Sequence, residues 1–243
     1  MMSFVQTTKS EIVKKQYLYK LKAYKGSYSS LMAVQIIGLL FSTTVSGSMG
    51  GSSSGDFSYE FDIYSTNMVF AFTLLWAFVT GMTITSKNYR YDDFSFVANR
   101  QTSNLSNMLF LLSISAVAGA TAILIGFAYR LLFPLVISAE ILSAPYTVTN
   151  LAVGIMATVL YCLLLSALGY LVGTISQLNK AFKFILPILL IGMLFANSEM
   201  ISSMLQFYLM ETSFLNFMFK VIIPTFIFFL LASVISNRME VRK

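Results

Sequence analysis

The chain has 243 residues, of which 57% are hydrophobic and 11% charged, and its formal net charge is +6 at pH 7. A soluble domain carries about 25% charged residues, so this composition excludes an ordinary water-soluble globule and places the chain in a bilayer, where helices or closed barrels satisfy their own backbone hydrogen bonds. Histidine is absent, which excludes Ser-His-Asp and Cys-His triads, His-based metal sites and His proton relays, and no P-loop run occurs, so any ATP used binds another subunit.

The apolar runs are continuous, not alternating, which predicts an all-α membrane protein: a single transmembrane domain over residues 1–243 with six transmembrane helices. Residues 1–30 hold Lys9, Lys14, Lys15, Lys20, Lys22 and Lys25 and no apolar core, unlike a cleavable signal peptide. At 100° per residue, Val13, Tyr17, Leu21, Tyr24 and Tyr28 share one arc, with Lys15 and Lys22 opposite. That pattern predicts an amphipathic cytoplasmic helix on the inner leaflet, a solvated basic arm being the alternative.

Stretches near the length needed to cross about 30 Å of hydrocarbon run over Leu31–Ser48, Tyr64–Thr85, Asn107–Leu132, Asn150–Ser176, Phe184–Asn197 and Ser213–Ser236, before a cytoplasmic tail over 237–243. The glycines and serines of Gly47 to Gly55 predict a flexible linker. Asp56 to Asp62 interleaves acids with Phe57, Tyr59 and Phe61, either a solvated loop with aromatic anchors or a surface for a cationic or amphipathic substrate.

In the loop after the second span, Asp92 or Asp93 suits the start of a short helix, Arg100 its carboxyl end, and Ser103 or Asn104 the cap of the next span. Phe94 and Val97 share a face of that helix, which docks either on a partner or on the inner ends of the spans. Cys162 lies inside the fourth span as a packing residue, and Arg130 snorkels from the outer end of the third. Residues 198–212 are too polar for lipid and too apolar for a free loop, which predicts short helices dipping into the outer leaflet. Lys220 lies two turns deep in the sixth span or at its edge. Paired with Glu199 or snorkelling it is structural; otherwise the two contact substrate as an outer gate.

Every Lys and Arg except Arg130 and Lys220 falls on one side of a six-span layout. The positive-inside rule then puts both termini in the cytoplasm. The basic charge answers to anionic lipid, not to nucleic acid. Spans nearly free of charge argue against a proton-coupled carrier.

The layout, the Tyr91-Asp92-Asp93-Phe94 to Arg100-Gln101-Thr102-Ser103-Asn104 segment, and the run Gly169 to Lys180 leaving span four together resemble the membrane (permease) subunit of bacterial half-size, six-span ABC-type exporters. The resemblance covers essentially the whole chain. It implies a principal coupling helix carrying Asp92, Asp93, Phe94, Phe96, Val97 and Arg100, and a second contact carrying Gln177, Asn179 and Lys180, both seated on a separate cytoplasmic ABC ATPase subunit. That subunit would bind Mg-ATP; this chain would have no cofactor and would be no enzyme. It also implies a second permease copy or paralogue, re-entrant outer helices between spans five and six, and a path along spans two and five. Phe70, Phe72, Trp76, Met82, Met193, Phe195 and Asn197 are candidates for that path, ordinary packing being the alternative for each. A weaker similarity to permeases that export amphipathic peptides, the phenol-soluble modulin exporters among them, implies export of peptides or peptide toxins from a bacterial cytoplasmic membrane. Drug or lipid export is the rival within the class, with a stand-alone channel, secondary carrier or immunity protein outside it. A carrier requires a buried ionisable site.

Overall fold

The computed structural model describes residues 8–44, 47–48, 52–54, 57–59, 62–63, 66–86, 88–89, 99–137, 148–177, 206–208 and 213–238, with Phe182, Ile185, Ile188, Gly192 and Ser203 as single helical positions. Six helices stand out among them: α1 (Lys9–Ala23), α2 (Lys25–Thr44), α3 (Asn67–Thr83), α4 (Arg100–Ile137), α5 (Val148–Ser176) and α6 (Phe214–Arg238). Three of them, α4, α5 and α6, are long and apolar enough to cross a membrane, and α3 is a shorter apolar helix. The chain is a membrane-embedded helical protein. The predicted fifth span and the predicted re-entrant helices lie mostly outside the described residues.

α1 begins where the Glu11 carboxylate accepts the Thr8 N–H at 3.3 Å, one half of a capping box. It ends at Tyr24, whose N–H still reaches the Lys20 carbonyl while its own backbone leaves the helical region. The predicted arc is therefore split between two helices, with Tyr28 on α2. Its side chains pack on the hydrophobic core of the bundle instead of lying in lipid. The deepest residues of α1 are Val13, Gln16 and Lys20, and α4 presents Ser106 and Asn107 as acceptors to the last of these.

Small and polar residues share the interior of the bundle with large ones such as Phe110, Leu111 and Ile114, while many other large apolar side chains face out. Ala118, Ala167, Ala232 and Ser166 are buried, whereas Met32 on α2 is 67% exposed and Phe226 on α6 is 62% exposed. This is the distribution expected where lipid, not water, covers the surface: lipid gives large side chains no reason to hide, and close backbone contact supplies the packing energy. A Cβ at Gly81 of α3 would clash with the Ser166 carbonyl of α5, and one at Gly169 of α5 with the Phe78 carbonyl of α3. Gly173 repeats the pattern against Met82 and Thr85, and Gly119 of α4 approaches the Val159 nitrogen of α5 to 2.6 Å from the position a Cβ would take.

These contacts fix direction. Along the α3–α5 seam, Gly81 meets Ser166 and Tyr170, and Gly173 meets Met82 and Thr85, so the two helices run parallel. α6 is parallel to α5 as well, with Phe217 beside Tyr161 and Phe229 beside Tyr170. α2 and α4 run the other way: Gly38 lies on Val69 and Trp76 reaches back to Ser30, while Ser115 meets Ser166.

The Gly-Ser segment predicted as a flexible linker is a nested antiparallel ribbon. β1 (Gly47–Ser48) pairs with β4 (Asp62–Ile63), and β2 (Ser52–Ser54) with β3 (Phe57–Tyr59), in the register Ser52 to Tyr59 and Ser54 to Phe57. Backbone pairing asks little of side chains, so a composition of serine and glycine conceals it.

Candidate functional site

α4 starts seven residues before the predicted span. The Asn99 carbonyl accepts the N–H groups of Thr102 and Ser103 and the Thr102 hydroxyl, so Arg100 is the first residue of the long helix and not the end of a preceding one, and neither Ser103 nor Asn104 is its cap. The Arg100 guanidinium donates to the Ser236 carbonyl at 2.6 Å, in the last turn of α6. A cation on the otherwise unpaired carbonyls of a helix carboxyl end is favourable for both.

Around this contact, buried polar groups at one end of the bundle form a continuous chain. Ser236 Oγ donates to Asn104 Oδ1 at 3.2 Å, and Tyr170 Oη donates to the same oxygen at 2.9 Å. Asn107 Nδ2 donates to Tyr170 Oη at 3.4 Å, and the Lys20 ammonium donates to Asn107 Oδ1 and, at 2.8 Å, to Ser106 Oγ. Lys20 is 0% exposed. The chain thus joins α1, α4, α5 and α6. Further along α1, Tyr17 shares a proton with Ser113 at 2.7 Å.

Gln177, just past α5, donates from Nε2 to the Thr85 carbonyl just past α3 at 2.5 Å. Tyr89, at the start of the loop that follows, meets Tyr24 edge-on with ring centres 4.5 Å apart, and Tyr24 in turn meets Phe110 at 5.5 Å. Arg100 and Gln177 are thereby the two predicted coupling residues placed in the bundle, and each ties one helix end to another. Asp92, Asp93, Phe94, Phe96, Val97, Asn179 and Lys180 lie outside the described residues, as do Met193, Phe195, Asn197 and Glu199.

The described path candidates are not brought onto one face. Phe70 points to α5, edge-on to Tyr161 at 6.0 Å, whereas Phe72 stacks on Phe41 of α2 at 5.6 Å. Trp76 is 6% exposed and donates from Nε1 to Ser30 Oγ at 2.9 Å, which makes it a strut between α2 and α3. Met82 borders the glycine seam. The exposed stripe of α3 carries Ala71, Leu75 and Val79 instead. Lys220 lies inside α6, not at its edge, with its ammonium 4.1 Å from the centre of the Phe207 ring and 3.4 Å from the Phe207 carbonyl.

Sequence reasoning missed Lys20, Asn107 and Tyr170 as network members and treated Asn104 only as a cap. The available signal was the pair Asn104 and Asn107, three apart and hence on one face once the polar run from Arg100 is helical. It also missed Gln35, buried in mid-bundle with its Nε2 3.0 Å from Thr121 Oγ1 and 3.2 Å from the Ala118 carbonyl. Among the described residues, Gln16 is buried with no hydrogen-bond partner for either amide atom, and the same holds for Asn104 Nδ2 and one guanidinium nitrogen of Arg100. Such groups are costly and concentrate at places with a task. Among the described residues no three His, Cys, Asp or Glu side chains gather as metal ligands. The network joins α1, α4, α5 and α6 to one another. Comparison with protein-family profiles, with curated proteins and with solved structures returned no match.

Proposed function

We propose that the chain is the membrane subunit of an ATP-driven exporter, working with a separate ATPase subunit in a bacterial cytoplasmic membrane, and that it moves amphipathic cargo, chiefly peptides or peptide toxins, outward. The observation that carries this reading is the tying of Arg100 to Ser236 and of Gln177 to Thr85. Each residue borders a segment expected to receive a push from the ATPase, and each passes that push directly to a second helix end. A lever needs such stiff joints, because a conformational change is delivered only through elements with discrete, packed arrangements.

Two further observations support it. α5 and α6 are parallel, so the chain between Gln177 and Ser213 connects opposite ends of the bundle, as a fifth crossing requires. α3 and α5 carry no charged residue, which favours a drive from outside the bilayer over an ion relay within it. The basic residues of α1, Arg100 and Arg238 meet at one end, in keeping with a cytoplasmic face there.

The buried Lys20 favours a second reading, an ion-coupled carrier, since an ionisable group out of water is the mark of one. Affinity purification from the native membrane separates the two. An exporter brings an ATPase subunit with it, released by Phe94→Asp with Val97→Asp while the permease stays monodisperse. A chain that never retains an ATPase, and whose transport is lost in Lys20→Met, is a carrier.

A further inference from the structure

The polar chain at the α1 end of the bundle holds two donors that its own acceptors do not use. Arg100 donates from Nη1 to the Ser236 carbonyl at 2.6 Å, but its Nη2 is buried with no hydrogen-bond partner. Asn104 accepts at Oδ1 from Ser236 Oγ and Tyr170 Oη, but its Nδ2 is likewise buried and unpartnered, in a residue only 7% exposed. The two residues are four apart on α4 and so share a face, one turn from each other. Both bond Ser236, which brings their idle nitrogens to the last turn of α6.

Donors alone, one of them cationic, call for a group that only accepts and carries negative charge. A carboxylate is that group, with one oxygen for each nitrogen. The position favours it again, because Arg100 is the first residue of α4 and lies at the positive end of that helix dipole.

α6 points to the source of the carboxylate. Its buried stripe runs through Phe217, Val221, Thr225, Phe229 and Ala232 and meets α4 at Ser236, at spacings of three or four residues. The next place on that stripe belongs to Met239 or Glu240, and only Glu240 carries a carboxylate. Glu240 lies outside the described residues, two beyond the end of α6 at Arg238. One more helical turn advances about 5.4 Å, and helical side chains lean back toward the amino end, here toward Ser236 and its two partners.

We propose that the Glu240 carboxylate seats on Arg100 Nη2 and Asn104 Nδ2 and latches the segment after α6 to the first turns of α4. Arg100 then holds α6 twice, through the Ser236 carbonyl and through Glu240. Release of Glu240 leaves a single bond at that joint, so a partner that takes up the segment after Arg238 also loosens the start of α4. The latch stands whatever the protein transports.

The test is tryptic release of the peptide Met239–Arg242 from the full chain in nanodiscs, where both faces are open to the protease. Cleavage after Arg238 samples the unlatched population. Asn104→Leu and Arg100→Gln each raise the rate roughly tenfold over wild type, the equivalent of about 1.4 kcal/mol. Glu240→Gln does the same, once its effect on trypsin itself is divided out with synthetic peptides over 234–243. Arg100→Gln combined with Glu240→Gln is cut no faster than either alone. Asp92→Asn with Asp93→Asn leaves the rate unchanged. An unchanged rate in Glu240→Gln overturns the proposal, as do additive effects of Arg100→Gln and Glu240→Gln. So does a rise in Asp92→Asn with Asp93→Asn that Glu240→Gln fails to give, which assigns the two donors to the loop before α4. A second measurement does not depend on stability. In Arg100→Lys, a carbodiimide, which joins only an amine and a carboxylate in contact, is expected to link position 100 to Glu240. A link to Asp92 or Asp93 in its place, or no link, overturns the latch.

Discussion

Lys20 and Asn107 show how a buried charge is carried at the rim of a membrane bundle. Withdrawing an ammonium from water costs several kcal/mol, offset here by hydrogen bonds to Asn107 and Ser106. The two partners should therefore respond unequally. Lys20→Met keeps the apolar stem and removes the charge together with its desolvation cost, so stability is expected to change by less than about 1 kcal/mol. Asn107→Ala removes an acceptor and leaves the ammonium buried, and its expected cost is about 2–3 kcal/mol. Unfolding midpoints in nanodiscs check the order, and a Met variant less stable than the Ala variant would contradict the account. Trp76 offers a second reading at the same scale. As the sole tryptophan, buried and bonded to Ser30, it should emit at short wavelength and resist quenching by acrylamide. Ser30→Ala should cost about 1 kcal/mol without exposing the indole.

Among the elements, the α3–α5 seam decides how tightly the bundle closes. Gly169→Ala sets a methyl group against the Phe78 carbonyl and is expected to cost about 1–3 kcal/mol, whereas Gly154→Ala meets only a side-chain methyl at 3.9 Å and should stabilise by up to about 1 kcal/mol through helix propensity. Thermal unfolding of the two single variants separates these effects, and equal behaviour would refute the close-packing argument. Helix bounds were legible to within a few residues where a charge-free apolar run ends in polar residues: Tyr64–Thr85 against Asn67–Thr83, Asn150–Ser176 against Val148–Ser176, and Ser213–Ser236 against Phe214–Arg238. The first turns of α4 were not legible. Gln101, Thr102, Ser103 and Asn104 read as loop, and their helix is supported by contacts from α6 and α5 more than sixty residues away. Which face of α3 packs inward was also hidden, because an apolar helix in lipid shows no contrast between its faces. The burial of Lys20 was hidden for the same reason of distance, its acceptors lying 86 and 87 residues along the chain.

For the whole molecule, direction of travel is the property that links fold to function. α2 and α4 run one way, and α3, α5 and α6 the other. Two parallel neighbours are what a return of the connecting chain across the bundle would produce, and the sequence from Gln177 to Ser213 contains the apolar run proposed as span five. The ring contact at 5.1 Å between Tyr161 and Phe217 sets α6 parallel to α5, the orientation that the proposed fifth crossing would give them. The arrangement can be read in cells. Cys162 is the only cysteine and is buried, so Cys162→Ser gives a background free of thiols at modest cost. On that background Ser53→Cys, Ser143→Cys and Thr212→Cys are expected to react with a membrane-impermeant maleimide added to intact cells. Ser95→Cys, Asn179→Cys and Asn237→Cys should react only after the membrane is opened. Labelling of Thr212→Cys on the same side as Asn179→Cys would remove the proposed fifth crossing, and with it the two-sided rocking that the proposed export requires. The opposite result leaves α3, α5, α6 and their inner-end ties as the parallel set on which an ATPase can pull.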